Sequence, residues 1–546
     1  MESEFPGKTI INHIIKINLW RYPFIILVLP QVKQRLESYL LHLIIYNIYR
    51  QYIHIYTTIY YLYNVYLKFN NLSFDMTTES KPELIESIND AKTSGFHYKT
   101  WIVSGLGFFT DAYDLFIIGV VTSILVLSGW NKFTTLQSSL LDSTALLSAV
   151  IGALIFGRLI DKLGRKTVYG LELIILIVGA LGSAFLTPLN GVYVLIIWRF
   201  ILGIGIGGDY ATSSTIMAEY SNTAHRGKLV GMVFSMQSLG LLAGPLITLG
   251  LLYSGMSLSL VWKLLLAFGA IPALIVVYFR RKMPETPRYL LRVKGDAEAA
   301  VKNWEKYTGI EASADAQAEV IKKSWTQIIK QKEFLITLVG TAGAWFLMDW
   351  ALYGNSIMSS SMLGVLVPSS VTGLDHLIRT TIYSAMIFGF AAFPGYWLAT
   401  FTIDRIGRKT IQSIGFAAMA LSFGILGVFH QLLSPSYIVQ FLLLYGMSYF
   451  FINFGPNVTT FIYPPEVFPT KVRGLGAGAS AAGGKIGAFV GTFLNAIILR
   501  SSIGESGLFM ILALLAAFGL IITLVLLPEP KKLDLDESSG EKALLV

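Results

Sequence analysis

Residues 198–220 read WRFILGIGIGGDYATSSTIMAEY, an apolar run of membrane length that nevertheless carries Arg199 and Asp209. Charge in a hydrocarbon slab costs several kcal/mol, so such residues face a bundle interior or a water-filled cavity rather than lipid. Ten positions separate the two, roughly 15 Å of helix, which predicts two levels of one cavity. Gly203, Gly205 and Gly208 also spell G-x-G-x-x-G, the dinucleotide fingerprint, but no strand-turn-helix context surrounds them. Close packing of helices is the expectation for these glycines.

Outward from this stretch, the composition sets the class. The chain has 546 residues, 54% hydrophobic and only 14% charged, and its mean hydropathy is +0.61. Soluble domains carry about 25% charged residues, so a polytopic membrane protein is predicted. The absence of cysteine excludes disulfides, thiolate metal sites and cysteine nucleophiles. The net charge of +9 is no nucleic-acid signal, because the basic residues cluster between apolar segments.

Twelve segments from residue 101 onward are long enough to span, each about 20 residues. They lie near 101–127, 139–160, 168–187, 191–213, 228–252 and 261–279, then 334–358, 380–402, 410–430, 437–462, 474–499 and 506–527. The expected division is an extension over 1–100, a six-helix half over 101–280, a linker over 281–333, a second half over 334–528 and a tail over 529–546. The linker, rich in Lys, Glu and Ala, reads as amphipathic helices on the membrane surface. Residues 1–75 read as a dispensable upstream extension ahead of Met76, with an interfacial helix or thirteenth span as the rival.

Basic residues fall after the second, fourth, eighth and tenth segments and in the linker, whereas the opposite loops hold only scattered Lys132, Arg379 and Arg500. Both ends of the twelve-span body should therefore be cytoplasmic. The halves also repeat. Asp161-Lys-Leu-Gly-Arg165-Lys166 recurs as Asp404-Arg-Ile-Gly-Arg408-Lys409, and Glu219 through Arg226 recurs as Glu466 through Arg473. Repeated halves of this kind build transporters with a site between them near mid-membrane.

Three segments carry unexpected polar groups. Asp111 and Asp114, in GLGFFTDAYDLFIIG, share a helix face near the bilayer centre, where a buried carboxylate suits proton carriage. Trp345, Asp349 and Tyr353 line one stripe at i, i+4 and i+8, offering an indole N–H, an acid and a phenol to a small oxyanion that keeps a proton. Lys485 lies deep in an apolar, glycine-rich helix, a depth that argues for a partner acid or an anionic substrate. Gln237 sits mid-segment in the fifth span, and Asn457 belongs to NFGPN in the tenth. Asp142 and Glu172, near segment starts, read as peripheral.

The stretch GRLIDKLGRK at 157–166 resembles the loop signature of the major facilitator superfamily, and Pro284-Glu285-Thr286-Pro287-Arg288 is similar to its sugar-porter motif. Together FTDAYDLF, GGDY, WFLMDWALY, NFGPN and Lys485 resemble the phosphate:proton symporters of that superfamily, the fungal and plant high-affinity type. The resemblance implies an all-α membrane protein of twelve helices in two pseudo-symmetric halves, importing phosphate with protons across the plasma membrane without a cofactor or metal. It implies phosphate ligands at Tyr210, Gln237, Trp345, Asp349, Tyr353 and Asn457, with Asp111, Asp114, Arg199, Asp209 and Lys485 moving protons or balancing charge. It implies a conformational latch of Asp161, Arg165, Glu219, Arg226, Asp404, Arg408, Glu466 and Arg473. Ala211 stands where that family has proline after GGDY, and Pro465 where it has glycine before Glu466. A symporter for a sugar or organic acid, or a non-transporting nutrient sensor, are the competing readings. An enzyme is the least expected, since no nucleotide-binding domain or nucleophile–base pair appears.

Overall fold

The computed structural model describes residues 83–313 and 320–545; the extension over 1–75 lies outside them. Among these described residues, twelve helices are long and apolar enough to cross a membrane. In the first half these are α1 (Gly95–Leu127), α2 (Thr135–Leu163), α3 (Arg165–Phe185), α4 (Val192–Tyr220), α5 (Arg226–Tyr253) and α6 (Leu258–Arg281). In the second they are α7 (Lys332–Ile357), α8 (Gly373–Ile406), α9 (Arg408–Val428), α10 (Pro435–Val467), α11 (Thr470–Leu499) and α12 (Gly504–Leu526). Apolar side chains such as Phe390 and Val525 stand 83% and 72% exposed on the outside, a surface that only lipid covers favourably.

Several boundaries differ from the sequence expectation, each for a local reason. α1 starts at Gly95, earlier than residue 101, because Ser94 and His97 form a reciprocal cap there. α6 continues through Arg281, past the expected end of its segment near 279, so Arg280 lies on the helix and Arg281 joins it from the expected linker. α10 is interrupted at Asn453–Asn457 by a wide turn in which Gly455 leaves helical geometry (φ −107°, ψ −112°) ahead of Pro456. Such wide turns recur at functional sites. The linker helix Ala297–Thr308 packs one face on the protein: Trp304 is fully buried and its indole N–H donates to Ser87 Oγ at 3.0 Å.

Glycine sets how closely the helices approach. A Cβ at Gly203 or Gly207 would lie 2.1 or 2.0 Å from the carbonyl oxygens of Ala145 and Ala149 in α2, and one at Gly205 would lie 2.5 Å from Glu172 O in α3. The glycine string of α4 is thus a packing surface for its neighbours. The same device joins the halves: a Cβ at Gly478 of α11 would meet Ala153 O of α2 at 2.3 Å. α4 runs without a break through Ala211, so the residue that replaces proline leaves the helix continuous.

Candidate substrate site and charge clusters

The stripe on α7 meets Lys485 of α11 at the centre of the bundle. Lys485 Nζ lies 3.0 Å from Asp349 Oδ2 and donates to Tyr353 Oη at 2.8 Å. The ammonium also sits 4.2 Å from the ring centre of Tyr210 and 4.1 Å from that of Tyr353, so two aromatic faces share its charge. Tyr210 Oη and Tyr353 Oη are 3.0 Å apart, a hydrogen bond between the halves. From there the chain of bonds runs on. Gln237 Nε2 donates to Tyr210 Oη at 2.6 Å, Tyr396 Oη donates to Gln237 Oε1 at 3.0 Å, and Asn457 Nδ2 donates to Tyr396 Oη at 2.6 Å. Trp345 Nε1 and Asp349 Oδ1 are buried without a hydrogen bond of good geometry, although the indole N–H lies close enough to the Asp349 carboxyl to interact with it. A donor and an acceptor so loosely satisfied beside a lysine form a small polar ligand site.

Tyr396 is a member of the site that no sequence signal marks, because nothing in PGYW separates it from an interfacial aromatic residue. The wide turn at Phe388–Ala392 within α8 precedes the helical stretch that brings it to the centre.

A second cluster lies in the first half. Arg280 grips Asp209 with both terminal nitrogens, at 2.7 and 2.8 Å, and reaches Glu172 Oε1 at 2.9 Å. All three side chains are fully buried. Glu172 is therefore not peripheral: the extension of α6 carries a cation down to it. Gly107 of α1 makes the space, since a Cβ there would lie 1.9 Å from Arg280 Nη2 and 2.2 Å from Asp209 Oδ2. Arg199 does not share this cluster with Asp209, contrary to the one-cavity expectation. It donates to the backbone carbonyl of Asp114 at 2.6 Å, and its Nε and Nη1 have no partner. Asp111 and Asp114 are fully buried, and their carboxylate oxygens have no hydrogen-bond partner. Asp111 has Asp209, Arg280, Asp114 and Lys485 as charge neighbours, so it stands between the two clusters.

The same architecture is found in known proteins. The profile of the sugar (and other) transporter family matches residues 58–540. The chain belongs to that family. It is 35% identical over 520 residues to a probable inorganic phosphate transporter 1-12 of Oryza sativa subsp. japonica, covering 84% of this chain and 94% of the relative. It is 34% identical over 532 residues to a repressible high-affinity phosphate permease of Neurospora crassa, covering 88% and 93%. Among solved structures, the major facilitator superfamily proton:xylose symporter XylE bound to 6-bromo-6-deoxy-D-glucose superposes with a TM-score of 0.67 at 21% identity, over 82% of this chain and all of that one. The fold is the two-halved major facilitator fold.

At the end bearing the basic loops, this transporter is closed by paired ion networks. Glu219 accepts from Arg165 at 2.7 Å and from Arg473 of the other half at 2.9 Å. Glu466 accepts from Arg408 at 2.7 Å and from Arg226 of the other half at 2.9 Å. Each acid thus bonds the arginine of the opposite repeat, a crossing that spacing within one repeat does not reveal. Asp161 caps the start of α11 through Gly474 N and Leu475 N at 2.9 and 2.7 Å. Asp404 caps α5 through Gly227 N and Lys228 N at 3.0 and 2.8 Å. Carboxylates at helix N-termini are favoured by the unpaired N–H groups there. The tail joins in, as Asp536 pairs with Arg288 and, at 2.7 Å, with Arg292. Burial alone would raise the Asp536 carboxyl, but these two arginines outweigh it and hold it below the usual range.

Glu466→Gln is expected to loosen this end, because it strips Arg226 and Arg408 of their shared carboxylate; breaking a buried pair costs about 3–5 kcal/mol. The chain has no cysteine of its own, so a single Thr470→Cys at the closed interface reports opening directly. Maleimide labelling should accelerate about tenfold or more in the Glu466→Gln background, as roughly 1.4 kcal/mol is a factor of ten. Unchanged labelling would show that these ion pairs do not hold the end shut.

Proposed function

We propose that this protein imports inorganic phosphate with protons by alternating access, in a plasma membrane, with both ends of its twelve-helix body in the cytoplasm. The observation that carries the reading is the buried Asp349–Lys485 pair, with the Trp345 indole beside the carboxyl and neither Asp349 Oδ1 nor Trp345 Nε1 in a hydrogen bond of good geometry. A neutral sugar has no use for a desolvated ammonium ion, whereas an oxyanion does. The names of the relatives, inorganic phosphate transporters and a phosphate permease, point the same way. Excess Lys and Arg at the latched end supports the orientation.

In this mechanism phosphate displaces the internal hydrogen bonds that Tyr210, Gln237, Tyr353 and Asn457 now make with one another and with Tyr396. Lys485 turns from Asp349 toward the anion, and Asp111, a charge neighbour of Lys485, takes up the proton that keeps the cavity's charge low. Loading then favours the state in which the cross-half latches part. Exchange of phosphate for phosphate needs no net proton release, so it separates binding from coupling.

Counterflow of labelled phosphate into liposomes, with and without a pH gradient, tests this. Accumulation should follow the inward proton gradient and collapse with a protonophore, while counterflow continues. Sodium-driven uptake that ignores a protonophore, or faster counterflow of a hexose than of phosphate, would overturn the reading.

A further inference from the structure

At the end opposite the latches, a cavity of about 840 Å³ opens between the halves, lined among others by Thr122, Asp142, Ile357, Lys132 and Arg500. It stops above the substrate site, where α1 and α7 touch: a Cβ at Gly119 would lie 1.9 Å from Ile357 O. Substrate entry therefore requires those two helices to separate. A proton needs far less room, and one wall of this cavity supplies it with a carboxylate.

That carboxylate is Asp142 of α2, partly exposed on the cavity. Thr122 Oγ1 of α1 donates to it at 2.6 Å, and behind it stands Arg199 of α4, which has both Asp142 and Asp114 as charge neighbours. No carboxylate lies within ion-pair distance of the Arg199 side chain among the described residues: its one hydrogen bond goes to a backbone carbonyl, and Nε and Nη1 remain free. A fully desolvated guanidinium would ordinarily close on an acid. Here it stays between two of them, one facing the cavity and one sealed inside with both oxygens unpaired. The remaining charges near Asp142 are the cavity's Lys132, His376 and Arg500.

We infer that Asp142 is the entry residue of a proton route distinct from the substrate path, with Arg199 as the group that turns between Asp142 and Asp114. Thr122 and Asp114 are two turns apart on α1, roughly 12 Å, too far for direct transfer between the two acids. The proton leaves a hydronium ion in the cavity, producing water, and binds a carboxylate oxygen of Asp142. Neutral Asp142 releases Arg199 to Asp114. Water carries the proton inward to Asp114 or its helix-face neighbour Asp111, and Asp142, ionised again, draws the guanidinium back. Onward release of that proton from Asp114 or Asp111 toward the inner clusters returns Asp142, Arg199 and the acceptor acid to their starting charges, so each completed cycle moves one proton. The route explains why buried charged atoms of Arg199 and Asp114 lack partners in a region that the phosphate ligands do not reach.

The inference rests on the proposed proton coupling, and the experiment separates the two. Asp142→Asn keeps the hydrogen bond from Thr122 within reach and removes the titrating group. In proteoliposomes with a pH gradient, its initial phosphate accumulation should fall at least tenfold and lose its dependence on external pH between about 5 and 8, while counterflow persists. Asp142→Glu should restore the pH profile, which a merely structural residue would not require. Asp142→Asn with the accumulation and pH profile of the natural protein overturns the entry role and leaves the proposed function standing. Loss of counterflow together with accumulation in a monodisperse variant places Asp142 in the substrate path and also overturns it. A natural protein whose uptake ignores the pH gradient overturns both.

Discussion

Arg280→Gln is expected to abolish pH-gradient-driven accumulation while weakening phosphate binding far less. The guanidinium now neutralises Asp209 and Glu172, all three fully buried. Without it two carboxylates face each other in a site that excludes water, and such an unpaired charge costs about 3–5 kcal/mol. The cheaper outcome is that both acids hold protons permanently. A proton arriving at Asp111 then finds no acceptor beyond it, and coupling stops. The charged part of the phosphate site is spared, because Asp349, Tyr353 and Lys485 belong to the other half, and only Tyr210 and Gln237 share the half that carries the cluster. Uptake and calorimetric binding on the same preparation separate the two effects. A control guards against misfolding: in Arg280→Gln/Asp209→Asn one uncompensated acid is gone, so the double variant should unfold at a higher temperature than Arg280→Gln alone. If the double variant is the less stable, the cluster is held by something other than charge balance. Natural accumulation by Arg280→Gln would remove the cluster from the proton route.

This cluster marks where sequence reading stops. The twelve spans are legible because each apolar run is long and carries at most a few charges, and the Asp349 stripe because i, i+4 and i+8 share a helix face. Arg280 is not, since FRRKMPETPR looks like any basic loop and only the hollow left by Gly107 decides that one of its arginines turns inward. Glu172 escapes for the same reason, as depth along a helix says nothing about a cation delivered from another. Asp142 does lie near a helix start, yet the cavity beside it is made by both halves and by no local pattern. The crossed pairing of Glu219 with Arg473 is likewise a property of two repeats placed face to face. Local chemistry travels in the sequence; partners delivered by the opposite half do not.

Asp349 offers the sharpest test of what is recognised. Its Oδ2 is bound by Lys485 and its Oδ1 makes no hydrogen bond of good geometry, so a bound oxyanion meets a cation and a hydrogen-bond acceptor together. An acceptor beside an anion is repulsive unless a proton lies between them. Dihydrogen phosphate carries that proton, whereas sulfate near neutral pH does not. A site built around a ligand's own hydrogen can reject an analogue lacking it by factors up to about 10⁴, because the acceptor is then left desolvated and unpaired. Asp349→Asn keeps the shape, removes the negative charge and substitutes an amide that donates as well as accepts. Phosphate binding should weaken about tenfold, while sulfate binding strengthens until the two approach each other. Lys485→Gln should behave differently, since it leaves Asp349 as an unpaired buried charge. Binding of both anions should fall by about a hundredfold or more, the scale of breaking a buried charge pair. In Asp349→Asn/Lys485→Gln the charge is balanced again, and the protein should regain stability relative to Lys485→Gln without regaining anion binding. Calorimetry with phosphate and sulfate on the four proteins reads each of these effects. Equal affinity of the natural protein for sulfate and phosphate would mean that Asp349 does not select by hydrogen, and the phosphate assignment would fall with it.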